Sequence, residues 1–431
     1  MPKNTEYKKY QQGFAALYLV VILMITGLGI ILSIVFVAVA QQRVVAENTR
    51  TVQAYYAAES GVEDGLLRLH NSMTLPGSYP YTIQVGSAQA EVAISDLFSG
   101  SRTVTSSGNS LGRVRVAEAV YEITATNAEF FYGAHIGEGG LRMSPNSGVF
   151  GNVFSNGDVA MGNNAGIGSI NSNVTGSVII AGASKRLYHT SGGTAPFVNG
   201  DATVDICDDI SIVGTLTANT SIGCGSIDIP LGAPPSPIPL PLSGAEIQSW
   251  KDAAAAGGIV NGDVTIPETG VPTILGREKI AGNLTLENNV ELILTGTLWV
   301  TGNINFGNGA NVHLDSGYGS TSGMIIADGV IDLGNNTIAK GSGSAGSYLM
   351  FLSTASLDPS IVLGTNNDLD VLYASNGWIR FQNVSRAREI TGYGIELGNG
   401  VGIYYEVGLQ NTQFVNGTGG GWTVASWKET E

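Results

Sequence analysis

The chain has 431 residues, with 35 acidic side chains against 20 basic ones and a formal net charge of -15; only 13% of its residues are charged. No basic cluster lies beyond the first residues, which argues against a nucleic-acid partner. Two cysteines and four histidines are little raw material for a transition-metal site, so neither metal nor cofactor is expected. Sixty glycines with so few charges suit an all-β body rich in tight turns.

The first element is an uncharged apolar run from Phe14 to Ala40. As a helix it would extend about 40 Å, more than the roughly 30 Å hydrocarbon core of a bilayer. In lipid the backbone groups of such a run must pair within the segment, so helix is the expected state. Lys3, Lys8 and Lys9 precede it, and the positive-inside rule keeps that end cytoplasmic and the body extracytoplasmic. Three readings fit. A cleaved secretory signal would be shorter, although Ala38-Val39-Ala40 offers a cleavage site. A single-pass anchor in the cytoplasmic membrane fits the length. The third reading starts from Gln12-Gly13-Phe14, a basic leader ending in Gly before an apolar run.

Beyond the run, Val45, Val52, Tyr55, Val62, Leu66 and Leu69 keep helical spacing, and Pro76-Gly77 ends the pattern. The segment 14–75 therefore reads as one stalk helix after a leader over 1–13. The Gly13-Phe14 junction resembles the class III leader of type IV prepilins. Gln53 to Leu69, with Ala57-Ala58-Glu59, resembles the stalk of PilX-like minor pilins. The resemblance implies cleavage after Gly13 by a prepilin peptidase and methylation of Phe14. It also implies packing against other pilin subunits, handling by the pilus assembly machinery and display in a cell-surface pilus. Most pilins carry Glu at the fifth mature residue; here that position is Tyr18. Tyr18 eases insertion into membrane lipid but removes a docking charge, which suits a minor or priming subunit better than a bulk one.

Residues 76–129 change to a period of two and read as a small antiparallel β head. Tyr81, Ile83 and Val85 form one run and Ala90, Val92 and Ile94 the next. Val104 lies on a third, and Val114, Val116, Tyr121 and Ile123 on a fourth. Thr103 to Ile123 resembles the closing strands of that head in PilX-like proteins. From 130 to 431 the composition turns to Gly, Asn, Val and Ile, and short motifs recur. Asn156-Gly157-Asp158, Asn199-Gly200-Asp201 and Asn261-Gly262-Asp263 are one set. The other is an apolar-x-apolar triplet before an Asn-rich turn, beginning at Asn283, Asn303, Val330, Ser360, Trp378 and Gly394. These spacings predict a β-solenoid whose inward apolar residues stack from coil to coil, with Asn and Gly at the corners and Asn ladders along the axis. Trp422 and Trp427 are candidate cover for the last coil.

The solenoid is interrupted at 230–256. Pro230 to Leu242 must be extended, and Ser243 to Ala256 reads as a short helix capped by Ser243, crossing the flank with Trp250 buried. This stretch and the closing Ser-Trp-Lys-Glu resemble the Gly-rich C-terminal domain joined to PilX-like N-termini. Cys207 and Cys224 form either a disulfide or two separate thiols; both remain open. For an enzyme, the candidate clusters are Asp205, Cys207, Asp208 and Asp209, and Arg386, Arg388 and Glu389. Both read more simply as solvated corners, and His135, His189 and His313 sit in unrelated contexts. No catalytic motif accompanies them, so no catalytic residue is expected. The expected role is structural, with the solenoid as an adhesive or spacer that meets surface polysaccharide. The alternatives are a membrane-anchored β-helix carbohydrate-active enzyme and a bactofilin-like polymer-forming protein.

Overall fold

Helix α1 runs unbroken from Tyr7 to His70, so the leader residues before Phe14 that are described here continue the stalk without a break. The computed structural model describes residues 7–70, 80–95, 101–123, 126–128, 130–169, 174–417 and 422–430. Lys3 and Pro76-Gly77 lie outside the described residues. The chain folds into two compact units: the helix and head (1–67, 75–122 and 424–431), and the body (68–74 and 123–423).

In the first unit, strands β1 (Tyr81–Val85), β2 (Ala88–Ile94), β3 (Ser101–Ser110) and β4 (Arg113–Ile123) form an antiparallel meander. A C-terminal strand, Trp422–Thr430, joins β4 as the fifth member of this sheet. The expectation that Trp422 and Trp427 cover a solenoid end is therefore corrected. The strand belongs to the head, Trp427 is exposed there, and Lys428 pairs with Glu118 at 2.8 Å. Hence the body is an insertion between two neighbouring strands of the head sheet.

The helix face against this sheet also differs from the expected stripe. The buried residues of the helix are Ala54, Ala57, Ala58, Gly61, Val62, Gly65 and Leu69, so Val62 and Leu69 of that stripe are buried, whereas Val45 and Val52 are exposed. Small side chains make this face because backbone approaches backbone. A methyl group on Gly108 of β3 would lie 2.0 Å from the Ala54 carbonyl oxygen. Hydrophobic periodicity does not detect a face built from Ala and Gly.

The body is a parallel β-helix. The recurring triplets stack in one column, Leu284 on Ile304, then Ile331, Ile361, Ile379 and Ile395. The column then continues onto Leu141 and Val159, far earlier in the sequence. The strand Glu389–Leu397, in the last coil made, thus pairs in parallel with Ala134–Met143, in the first. Gly402–Tyr404 likewise pairs with Gly148–Phe150. Chain order and axial order therefore differ. From this seam the first half winds outward to Ile229–Pro230, the crossover returns along the flank, and the second half winds back to the seam.

The crossover is held as it descends. The Gly182 N–H donates to the Pro235 carbonyl at 3.0 Å. Asn156 then clamps Ile238, donating to its carbonyl at 2.7 Å and accepting from its N–H at 3.0 Å. The Leu242 N–H donates to the Tyr373 hydroxyl oxygen at 3.1 Å. Helix α2 (Gly244–Gly257) follows with a complete Ser243/Glu246 capping box. It buries Ile247 and Trp250 in a second apolar core with Met324, Met350, Tyr373 and Phe414.

Corners carry the Asn ladders. The N–H of Asn283 donates to Asp263 Oδ1, that of Asn303 to Asn283 Oδ1 and that of Val330 to Asn303 Oδ1, each at 2.8 Å. A second corner stacks left-handed residues: Asn289, Gly309, Asn336, Asn366, Val384, Gly400, Asn146 and Asn164, with φ between 46° and 73°. Val384 is the exception in chemistry, since a β-branched residue at φ 46° is strained. Its side chain is exposed, so little packing offsets that strain. Val384→Asn is expected to stabilise the body by about 1 kcal/mol, read as a raised thermal or denaturant midpoint.

Candidate functional site

In the first unit the candidate functional surface is the helix itself. It is long and apolar enough to cross a membrane, with mean hydropathy 3.0 in its most apolar window and none of that window buried. Leu17 through Val39 expose large apolar side chains on every side, which in water would be unfavourable over the whole stretch. The polar groups inside it are satisfied locally. The Thr26 hydroxyl donates to the Ile22 carbonyl at 2.9 Å, and that of Ser33 to the Gly29 carbonyl at 2.8 Å. Such back-bonding pairs the Thr26 and Ser33 hydroxyls within the helix, as lipid requires. Gly13, Lys8 and Lys9 lie within the helix, and Phe14 follows directly.

In the body, the predicted acidic cluster does not converge. Asp205 accepts from the Ser184 N–H at 2.5 Å and from Asn219 Nδ2 at 2.9 Å. Asp208 pairs with Arg186 at 2.5 Å, and Asp209 faces His189 Nδ1 at 2.8 Å. Each carboxylate is taken by a different residue, Ser184, Arg186 and His189, of the neighbouring coil. Cys207 and Cys224 form a disulfide that staples neighbouring coils. The second cluster splits as well. Arg388 turns outward to Asp370 and Glu406, Arg386 lies over the Tyr404 ring, and Glu389 points into the second core. Asp370, nearly enclosed, has its pKa raised by burial, with Arg388 and Lys340 opposing the rise. It also accepts from the N–H groups of Gly341 and Leu349, and so organises the Gly-Ser loop over 341–347.

A cavity of about 650 Å³ lies between the crossover and α2, bordered by Leu240, Ile247, Lys251, Thr354 and Tyr373. Its polar groups are engaged. Lys251 binds Asp328 at 2.5 Å, and the Tyr373 hydroxyl donates to the Leu242 carbonyl. The described residues around it present no paired carboxylates and no base next to a nucleophile, the arrangements that hydrolysis requires. Among the described residues, no group of three or more His, Cys, Asp or Glu converges as a metal site would.

Two buried titratable groups escaped the sequence reading as structural elements. His135 packs edge-on against Tyr132 and Phe154, and burial lowers its pKa to about 4, opposed by its hydrogen bond to the Ile238 carbonyl. Glu389 is fully enclosed; burial raises its pKa well above the usual carboxylate range, and the Thr391 hydroxyl donates to Oε1 at 2.6 Å. They lie at the seam, on Ala134–Met143 and Glu389–Leu397 respectively. Nothing in the local sequence announces either, because their enclosure depends on coils far apart in the chain.

No family model and no curated protein matches the chain. Among solved structures, the competence-associated pilin ComZ from Thermus thermophilus is similar over 89% of this chain and 98% of that one, at 12% identity and a TM-score of 0.33. At that distance the likeness supplies no argument about what this chain does.

The two buried groups give opposite pH dependences. His135, neutral when folded, takes a proton more readily when unfolded, so stability falls as pH drops from 6.5 toward 4. Glu389 is also neutral when folded but ionises readily when unfolded, so stability falls as pH rises above 4.5. Thermal midpoints against pH are expected to flatten on the acid side in His135→Gln and on the alkaline side in Glu389→Gln.

Proposed function

We propose that this chain is a structural, pilin-like membrane protein: a minor or priming subunit of a type IV pilus or related filament that holds a β-helix outside the cytoplasmic membrane. The observation that carries the reading is the first unit, where one helix is bare and apolar along its lower length and packed by a small antiparallel sheet along its upper length. The bare half resides in lipid before assembly and among sister helices afterwards, where close packing replaces lipid contacts. Lys3, Lys8 and Lys9 set the orientation, and a prepilin peptidase cuts after Gly13 to leave Phe14 for methylation. The body serves as adhesive or spacer toward surface polysaccharide and has no enzymatic role. In support, the two acidic clusters are spent on separate structural partners.

Mass spectrometry of the mature protein is expected to show an N-terminal methylated Phe14, and sheared surface filaments are expected to contain the chain. Retention of Lys3 in the mature protein, with the chain confined to the membrane fraction, would overturn the reading in favour of a simple anchor.

A further inference from the structure

The β-helix ends in two different ways. At the end reached by the first half, the sheet stops in a two-residue strand, Ile229–Pro230, whose proline has no N–H to offer. The Cys207–Cys224 disulfide staples the coils beneath it, and Leu231 N–H, donating to the Ala218 carbonyl at 3.1 Å, is the ladder's last rung before the proline-rich crossover. Short strands and prolines are the usual means of closing a sheet edge.

Among the described residues, the other end is open. Its terminal coil consists of Ile259–Asn261, Val264–Ile266 and Thr273–Leu275, each paired in parallel with the next coil on one side only. The backbone pattern identifies the groups left over. The Val264 N–H donates to the Asn283 carbonyl and the Ile266 carbonyl accepts from Glu287 N–H, so Thr265 between them turns its own N–H and C=O outward. By the same alternation Ile259, Asn261 and Ile274 present theirs. Pro267 and Pro272 lie outside these strands and block none of those amides. Ile259, Val271 and Ile274 are more than half exposed, and inward-pointing Val260 is also open to solvent.

An edge of free backbone groups flanked by β-branched side chains fits an extended polypeptide strand. Charge narrows the partner. The only ionisable residues between Ile259 and Leu275 are Asp263 and Glu268, and Asp228 is the only one between Leu216 and Ile229 at the opposite end. Stacking two copies by these ends would oppose uncompensated carboxylates, whichever ends met. The geometry points to β-strand addition at Ile259–Leu275 by an extended segment of another protein, carrying Lys or Arg beside β-branched residues. This inference does not rest on the pilin reading.

The test uses the full chain in detergent and two labelled synthetic peptides of alternating residues, one Lys/Val/Thr and one with Glu replacing Lys. Fluorescence anisotropy should show the Lys peptide binding at least about tenfold more tightly than the Glu peptide. Thr265→Pro removes an N–H the fold does not use and should cost about tenfold or more in binding, while Thr265→Val retains it. Glu268→Gln should weaken the preference for Lys without altering the thermal midpoint, Asp263 being left in place because its Oδ1 is held by Asn283. Absence of Lys-peptide binding to the unaltered chain, or binding indifferent to Thr265→Pro, overturns the proposal. So does self-association that Thr265→Pro abolishes, because the occupant would then be a second copy.

Discussion

The body depends on one parallel ladder, in which Glu389–Leu397 hydrogen-bonds onto Ala134–Met143. Without it there would be two short solenoids, each with a raw end carrying open apolar core. With it, the inward column passes from Ile395 to Leu141 as smoothly as from Ile379 to Ile395. Because the seam joins residues so distant in sequence, its loop-closure entropy is offset by the core and backbone bonds of both halves together. Nearest-neighbour stacking in solenoids makes such a joint possible, since a coil requires only a matching surface below and above it.

Several features follow from where the seam lies. The chain enters and leaves the body side by side, and Thr126–Ala128 pairs antiparallel with Thr412–Phe414 there. Both ends of the β-helix therefore lie within the chain, joined by the crossover. That crossover has to be extended to pass several coils in few residues, which its prolines enforce at no cost in unpaired N–H groups. Met324, Met350 and Tyr373 point out of the β-helix and would be exposed without α2, so the helix closes a second core and does not merely interrupt the first.

Much of this was legible in the sequence. The apolar run at Phe14–Ala40, the period-two runs of the head and the triplets from Asn283 onward each correspond to one repeated physical demand. Those demands are lipid burial, one-sided sheet packing and coil stacking. Asn289, Asn336 and Asn366 take the left-handed corners expected of Asn. The rest was hidden for physical reasons. The stalk face of Ala54, Ala58 and Gly61 is selected for closeness, and a hydrophobicity pattern cannot register it. The strand Trp422–Thr430 reads alike whether it pairs with a coil or with β4, because pairing partners at long range leave no mark on a nine-residue strand. The triplet motif does continue at Leu141 and Val159, and Gly162-Asn163-Asn164 repeats the turn at Gly334-Asn335-Asn336, but a shared motif does not say which coils are neighbours.

Chemistry was the least legible from spacing. Asp205, Asp208 and Asp209 crowd together in sequence, yet alternation along a coil sends them to separate partners. Arg388, in the bend before the strand Glu389–Leu397, reaches Asp370 and Glu406, whereas its neighbour Glu389 is enclosed. The most direct test of the account is a cross-link across the seam. Glu396 and Arg142 are register partners on the outer surface of the ladder, and cysteines at such positions lie within disulfide reach. Glu396→Cys with Arg142→Cys is predicted to form an intramolecular disulfide under mild oxidation, seen as a mobility shift reversed by reductant. A folded double variant that stays reduced, or links only between molecules, would contradict the single β-helix.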